Sequence, residues 1–274
     1  MSAATANKRV GRRPWGTYVL YVVAAMTFVY LFVPLGRIVQ LSFNHQIGKK
    51  NTEWNSFTFD NWTNAFKSSA YIEALKESIK VAVWACTIAT AIGALVALAI
   101  TRYKMKGGTA INLLLVIPLT TPEIVMGASL FTLFFNQDVT RGFWTIVIAH
   151  TMFCVSFVAL TVKARIRGID WSLEDAAADL GSGPLRTFRK VTLPIITPGI
   201  AAAFLLSIAL SIDDYIITSF VAGPVKTLPR QIFDGEKIEL PAQVHVIASL
   251  ILFISVGIIV ASSVAGNRRR ARLG

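Results

Sequence analysis

The sequence predicts an all-α integral membrane protein with six transmembrane helices and both termini cytoplasmic. Three observations carry that fold class. The chain is 54% hydrophobic and 15% charged, with mean hydropathy +0.59, whereas a soluble domain carries about 25% charged residues. The apolar residues fall in long, nearly uncharged runs, each long enough to cross a hydrocarbon core of about 30 Å. The basic residues gather in alternate loops, the bias that orients helices in a membrane. Lipid offers the backbone no hydrogen-bond partner, so continuous apolar runs must be helical. No alternating pattern supports a β-barrel. This composition excludes most soluble enzymes and structured nucleic-acid binders.

Six spans follow in order: 16–40, 81–101, 109–136, 142–162, 195–222 and 241–266. They make one membrane domain over 16–266, flanked by basic tails at 1–15 and 267–274. The first span is longer than a signal-peptide core of about 7–15 residues and lacks a small-residue cleavage site, so it reads as an uncleaved helix. The third is broken by Pro118 and Pro122 directly before Glu123, which frees backbone carbonyls beside that acid, and the fifth contains Asp213 and Asp214. Cys86 and Cys154 lie inside apolar runs with no metal-ligand or disulfide spacing, and read as packing residues.

Charge sets the orientation. Lys8, Arg9, Arg12 and Arg13 precede the first span. Arg102, Lys104 and Lys106 follow the second. Lys163, Arg165, Arg167, Arg186, Arg189 and Lys190 follow the fourth, and Arg268, Arg269, Arg270 and Arg272 follow the sixth. These are seventeen of the 27 Lys and Arg. They place the same loops, and both termini, in the cytoplasm. Much of the +12 net charge is this bias and implies no nucleic-acid partner. The first outer segment, 42–75, holds Trp54, Phe57, Phe59, Trp62 and Phe66. It reads either as an interfacial aromatic belt or as a docking surface for an external partner. A short helix entry is expected there with Asp60 as cap.

The cytoplasmic loop 163–194 is the most informative stretch. Ser172 followed by Asp175 reads as a capping box, which starts a helix at Leu173. Gly181 and Gly183-Pro184 then stop it. The result is a short isolated helix with a small face (Ala176, Ala177, Ala178), able to sit in a groove of another protein.

These residues resemble the permease subunits of bacterial ABC importers. That family carries Glu-Ala-Ala, three residues, Gly, nine residues, Ile, one residue, Leu-Pro. The matching positions are Asp175, Ala176, Ala177, Gly181, Val191, Leu193 and Pro194, with Asp175 for Glu and Val191 for Ile; Glu174 offers a similar charge next door. The resemblance implies a type I importer permease fold. It also implies that this loop couples to an ATP-hydrolysing subunit whose closure rocks two permeases between inward- and outward-facing states. The implied partners are a second homologous permease, two ATP-binding subunits, an extracytoplasmic substrate-binding protein and the lipid of a bacterial cytoplasmic membrane. The chain has no Gly-x-x-x-x-Gly-Lys-Ser/Thr phosphate loop. No cofactor, catalytic residue or metal site is therefore expected in it, and ATP and Mg belong to the partner.

Three acids, Glu123, Asp213 and Asp214, lie inside predicted spans, where a charge costs about 2.5–3.5 kcal/mol and marks a pathway or a partner. At about 1.5 Å per residue they sit at comparable depth, roughly 20–27 Å from the cytoplasmic side. His150 and His245 are candidate partners. The functional reading is a cation path, with Tyr215 and Phe220 adding cation–π contact; the alternative is a structural role at broken helices. The stretches 118–130 and 211–233 resemble spermidine/putrescine permeases, in which Ser-x-Asp-Asp precedes Ser-Phe-x-x-Gly-Pro, as Ser211 to Asp214 and Ser219 to Pro224 do here. That resemblance implies polyamine import. The alternatives are an importer of another solute (a sugar, an iron complex, an anion) or an ion-coupled secondary transporter. Gly223-Pro224 and Leu228-Pro229 are expected in an outer loop, where Lys226, Arg230 and Lys237 face an acidic rim of the binding protein.

Overall fold

The computed structural model describes residues 14–102 and 107–271. Lys8, Arg9, Arg12, Arg13, Lys104, Lys106 and Arg272, which enter the orientation argument, lie outside the described residues. The described chain is helical in this order: α1 (Pro14–Ser42), α2 (Asp60–Thr63), α3 (Ser69–Arg102), α4 (Gly108–Thr120), α5 (Glu123–Asn136), α6 (Phe143–Ile166), α7 (Ser172–Asp179), α8 (Pro184–Thr187), α9 (Leu193–Asp213), α10 (Ile216–Val221), α11 (Leu228–Ile238) and α12 (Ala242–Ala271). It divides into two units, Met1–Ser68 with Ile238–Gly274, and Ser69–Lys237.

In the first unit, α1 packs against α12, and the rest of its apolar surface is bare, as expected of a helix that is hydrophobic all round and faces lipid. After α1 the chain doubles back, with Asn44 bridging to Phe57. The turn is held by buried amides. Asn44 Nδ2 donates to Asn51 Oδ1 at 2.6 Å and to the Glu53 carbonyl at 2.7 Å. Asn51 Nδ2 donates to the Leu41 carbonyl at 2.8 Å, and Asn61 Nδ2 to the Asn44 carbonyl at 2.7 Å. Asp60 is not the cap of α2. The helix begins on it, and its N–H donates to Thr58 Oγ1 at 3.1 Å.

In the second unit, α6 is the central helix and packs against α3, α9, α4 and α10. The face that α3 buries is built from small residues at near-helical spacing: Ala74, Ser78, Ala82, Ala85, Ala89, Gly93 and Ala97. Small residues let two backbones approach closely where no hydrophobic force favours helix association over lipid. A Cβ at Gly93 would lie 2.8 Å from Val158, so α3 and α6 touch without spacer.

Two helices in this unit break where the sequence carries Pro or Asp. The third apolar run is not one straight span: α4 and α5 meet at 105° across Thr121-Pro122. Pro122 has no N–H to continue α4, and its ring disfavours helix at Thr121, which is extended at ψ 130. Pro118, by contrast, stays inside α4. The fifth run is likewise not continuous. Its helix α9 ends at Asp213, Asp214 is extended at ψ 119, and α10 restarts at Ile216. Aspartate side chains compete for backbone N–H groups and favour caps over helix interiors. Four described helices can cross a membrane by length and composition, α1, α3, α6 and the run ending at Asp213. The bent α4–α5 pair brings the number to at most five, and α12 adds a shorter apolar stretch over Ala242–Gly257.

Candidate functional site

The acids of the two broken helices meet at one cavity. It encloses about 350 Å³, and its lining includes Pro118, Thr121, Glu123, Asp213, Asp214 and Tyr215. Glu123 opens the first turn of α5, and Asp213 closes α9; both are exposed. No Lys or Arg lines the cavity. Among the described residues no group of three or more His, Cys, Asp or Glu is arranged to hold a metal ion.

Asp214 is the buried member, its side chain 5% exposed. Its Oδ2 accepts from the Thr218 N–H at 2.8 Å and the Thr218 hydroxyl at 2.7 Å. The same oxygen faces His150 Nε2 at 3.2 Å. Its Oδ1 has one long contact, from the Ile217 N–H at 3.4 Å. Asp214 therefore caps α10, satisfying donors that a helix start leaves unpaired. Of the two candidate histidines, His150 joins the acids. His245 does not: its Nδ1 lies 3.4 Å from Asn51 Nδ2. Tyr215 stacks at 4.3 Å on Phe233 of α11. Phe220 lies outside the cavity lining. It fills the space left by Gly127, where a Cβ would come within 2.6 Å of its ring, so the cation–π expectation for it is corrected.

The loop 163–194 forms a second candidate surface. Its helix α7 starts at Ser172, one residue earlier than the sequence suggests, and Ser172 is not the cap. Asp170 Oδ1 accepts the Ser172 N–H at 3.0 Å, a contact that holds the Asp170 carboxyl below the usual carboxylate range. At the other end Gly181 adopts φ +77. Ser182 N–H donates to the Ala177 carbonyl at 3.0 Å and Gly181 N–H to the Ala178 carbonyl at 2.8 Å, the paired bonds of a Schellman stop.

Glu174 points inward. It pairs with Arg102 at 2.9 Å and accepts from the Thr192 hydroxyl, while Arg102 covers the Trp171 ring at 4.9 Å. So α7 is tied to the end of α3 and the start of α9, and Glu174 is not a stand-in for exposed Asp175. A space of about 540 Å³ lies beneath it, lined in part by Leu98, Trp171 and Ala178. The outer face of α7 is not only small. Ala176 is exposed and Ala177 half-buried, but Leu173 in the helix and Leu180 at its C-cap are 50% and 90% exposed, and Leu185 of the neighbouring α8 is 80% exposed. Val191 and Leu193 are half-buried, and Pro194 is exposed in the first turn of α9. Just before it, Phe188–Thr192 forms a wide π-type turn, where Pro194 cannot donate back to the preceding turn.

The outer connection also differs from the expected loop. Leu228-Pro229 begins α11. Arg230 is occupied, since its Nη1 donates to the carbonyls of Gly223 at 2.8 Å and Val225 at 2.9 Å. Lys226 pairs with Asp234 at 3.6 Å, and Lys237 covers Phe233 at 4.8 Å. Gly223 has φ +56, and a Cβ there would meet the Arg141 carbonyl oxygen at 2.5 Å, so only glycine fits the turn.

Sequence reasoning from the acids found the cavity wall but not what holds it. Ser211 and Thr218, three residues before and four after Asp214, carry the signal: small hydroxyls at helical spacing around an intramembrane acid. The clamp on α7 had a weaker one, Arg102 directly after the uncharged stretch 81–101 of α3.

A body of long apolar helices, two broken helices lining an acidic cavity and a loop helix with exposed leucines fit a membrane permease. The chain belongs to the family of the binding-protein-dependent transport system inner membrane component, whose model matches residues 89–272. It is 33% identical over 238 residues to the spermidine/putrescine transport system permease protein PotC of Haemophilus influenzae, covering 86% of this chain and 92% of that protein. It is also 33% identical over 254 residues to the putrescine transport system permease protein PotI of Escherichia coli K12, covering 90% and 88%. Among solved structures, a bacterial ABC transporter that imports the acidic polysaccharide alginate matches with TM-score 0.65 at 15% identity, over 92% of this chain and 96% of that one. The inward-facing MetNI methionine ABC transporter matches with TM-score 0.53 at 20% identity, over 73% and 92%. At these identities the structures share the fold.

Proposed function

We propose that this chain is one of two permease subunits of an ATP-driven importer of polyamines such as spermidine and putrescine, in a bacterial cytoplasmic membrane. The observation that carries the reading is the cavity. Glu123, Asp213 and Asp214 line it with Tyr215 and no basic side chain. An extended polyammonium cation matches several carboxylates at once, and an anion is repelled. The relatives named for spermidine and putrescine support the same substrate class.

In this reading six spans cross the membrane with both termini cytoplasmic. The second permease completes the pathway. An extracytoplasmic binding protein delivers the cation. Two ATP-binding subunits hold ATP and Mg and hydrolyse the nucleotide, while this chain performs no chemistry. Asp175, Ala176, Ala177 and Gly181 belong to the coupling surface, with Leu173 and Leu180 as its apolar contacts. Val191, Leu193 and Pro194 carry its motion into α9 through the wide turn, and Glu174 locks it to α3.

The test is labelled spermidine uptake in cells with and without this gene, with excess unlabelled putrescine, sugar or sulfate as competitor. Uptake lost on deletion and competed only by polyamines supports the reading. Unchanged uptake in cells lacking any second polyamine system overturns the substrate.

A further inference from the structure

The hydrogen bonds around His150 fix its proton. An unprotonated Nε2 would set its lone pair against Asp214 Oδ2, 3.2 Å away, so Nε2 carries the hydrogen. The single hydroxyl proton of Thr218 goes to Asp214 Oδ2 at 2.7 Å. Thr218 Oγ1 then has lone pairs free to accept the Nε2–H at 2.9 Å. The other ring nitrogen, Nδ1, lies 2.7 Å from the Ser211 hydroxyl. His150, Ser211 and Thr218 are 1%, 4% and 0% exposed, so these groups have no water to exchange for.

The placement matters as much as the bonds. Ser211 lies in the last turn of α9, Thr218 lies in α10, and His150 belongs to unbroken α6. One imidazole therefore bridges both halves of the broken helix. On Asp214 it uses the oxygen that already holds two Thr218 donors. The second oxygen keeps a single 3.4 Å contact on a residue that lines the cavity.

We propose that His150 is a positioning residue for transport: its Nε2 holds Thr218 and Asp214 Oδ2 at the start of α10 and leaves Oδ1 of Asp214 as the acceptor offered to the transported cation. This rests on the reading of the cavity as a cation path.

The two conservative amides separate this role from packing. A glutamine amide nitrogen reaches the position of Nε2 and can donate to Thr218 and Asp214; an asparagine amide reaches only that of Nδ1. The experiment reconstitutes this chain with its permease, ATPase and binding-protein partners in proteoliposomes and measures spermidine transported per ATP hydrolysed. His150→Gln is expected within about twofold of the parent. His150→Asn is expected about tenfold lower, the scale of one lost charge-assisted hydrogen bond, with complex yield and ATP hydrolysis retained. Equal behaviour of the two variants overturns the proposal, whether both transport normally or both fail. So does a parallel loss of yield and ATP hydrolysis in His150→Asn. Asp214→Asn is the reference. If it transports normally, the cation-path reading itself fails; if it is impaired while His150→Asn is not, this inference alone fails.

Discussion

Two acid doublets in the Ser69–Lys237 unit follow the same division of labour in opposite environments. At Glu174-Asp175 the first acid turns inward to Arg102 and Thr192, and the second is exposed. At Asp213-Asp214 the second turns inward to His150 and Thr218, and the first is exposed. Glu174 and Asp175 are neighbours on one helix and point about 100° apart, whereas Asp213 and Asp214 are turned apart by the extended backbone at the α9–α10 break. In each doublet one carboxylate secures a local structure and the other is available to something outside the chain. They differ in what balances the anchored charge. In the loop it is a half-exposed guanidinium. Within the apolar helices it is a set of neutral donors and an imidazole, which leaves the cavity acidic.

The sharpest way to break this comparison is to neutralise the two cavity acids separately. Asp213→Asn is expected to lower spermidine uptake about tenfold with assembly intact, a loss of roughly 1.4 kcal/mol of interaction with the cation. Asp214→Asn is expected to lower uptake at least as far and also to reduce the yield of folded complex. It weakens a cap whose charged acceptor is worth about 1.5–3 kcal/mol. Equal yields for the two variants, measured by quantitative membrane blotting, would contradict the division.

The exposed side of the loop doublet gives the next effect. Leu180 is 90% exposed at the end of α7, so Leu180→Asp removes no internal packing. The thermal midpoint of the isolated permease is expected to stay unchanged. Recovery of the ATPase subunit on co-purification is expected to fall about tenfold, as for a residue central to a contact. A lowered midpoint with normal recovery would make Leu180 part of the permease's own fold.

Both sites were partly legible in the sequence, and the limit has one cause. Helix stops, small-residue faces and prolines act within a turn or two, so the break before Glu123 and the stop at Gly181 could be read directly. The fold class followed from composition, uncharged runs and the alternation of basic loops, and the family from spacing within one loop. What could not be read was which long-range contacts form: His150 stood as one of two candidate partners of the acids, and Arg102 as none. His150 lies 64 residues before Asp214 in the chain, and Arg102 lies 72 residues before Glu174. Ser172 was misread as the cap because Ser-x-x-Asp fits the capping pattern, yet Asp170 two residues earlier takes the N–H instead. The break inside the fifth span, 195–222, was hidden for a different reason. Hydropathy averages over Asp213-Asp214, whereas the backbone answers to the single carboxylate that caps α10.

A smaller effect sharpens the anchored side of the loop. The Arg102–Glu174 pair is partly exposed, with side chains 36% and 18% accessible, so its coupling energy is expected at about 0.5–1 kcal/mol, typical of pairs open to solvent. A double-mutant cycle of Arg102→Met and Glu174→Gln, read by thermal unfolding of the purified permease, measures it. A coupling of zero would assign the anchoring to Thr192 and Trp171 alone.

The smallest expected effect concerns the start of α7. The Ser172 N–H holds the Asp170 carboxyl below its ordinary pKa. A depressed folded value means that the ionised form is favoured by the fold. Its contribution is complete above the unfolded carboxylate pKa, near 4, and is lost as pH falls through the lower folded value. Asp170 is fully exposed, so the gain is local and does not set the stability of the whole chain. Amide exchange at Ser172 and Glu174, compared at each pH between the parent and Asp170→Ala, isolates it. At pH 7 the variant is expected to exchange a few-fold faster, because the first turn has lost its acceptor. The ratio is expected to approach one as the parent's carboxyl protonates. A ratio that stayed constant with pH would mean that the side chain acts by its shape and not by its charge. The start of α7 would then owe nothing to the electrostatics that govern the two doublets.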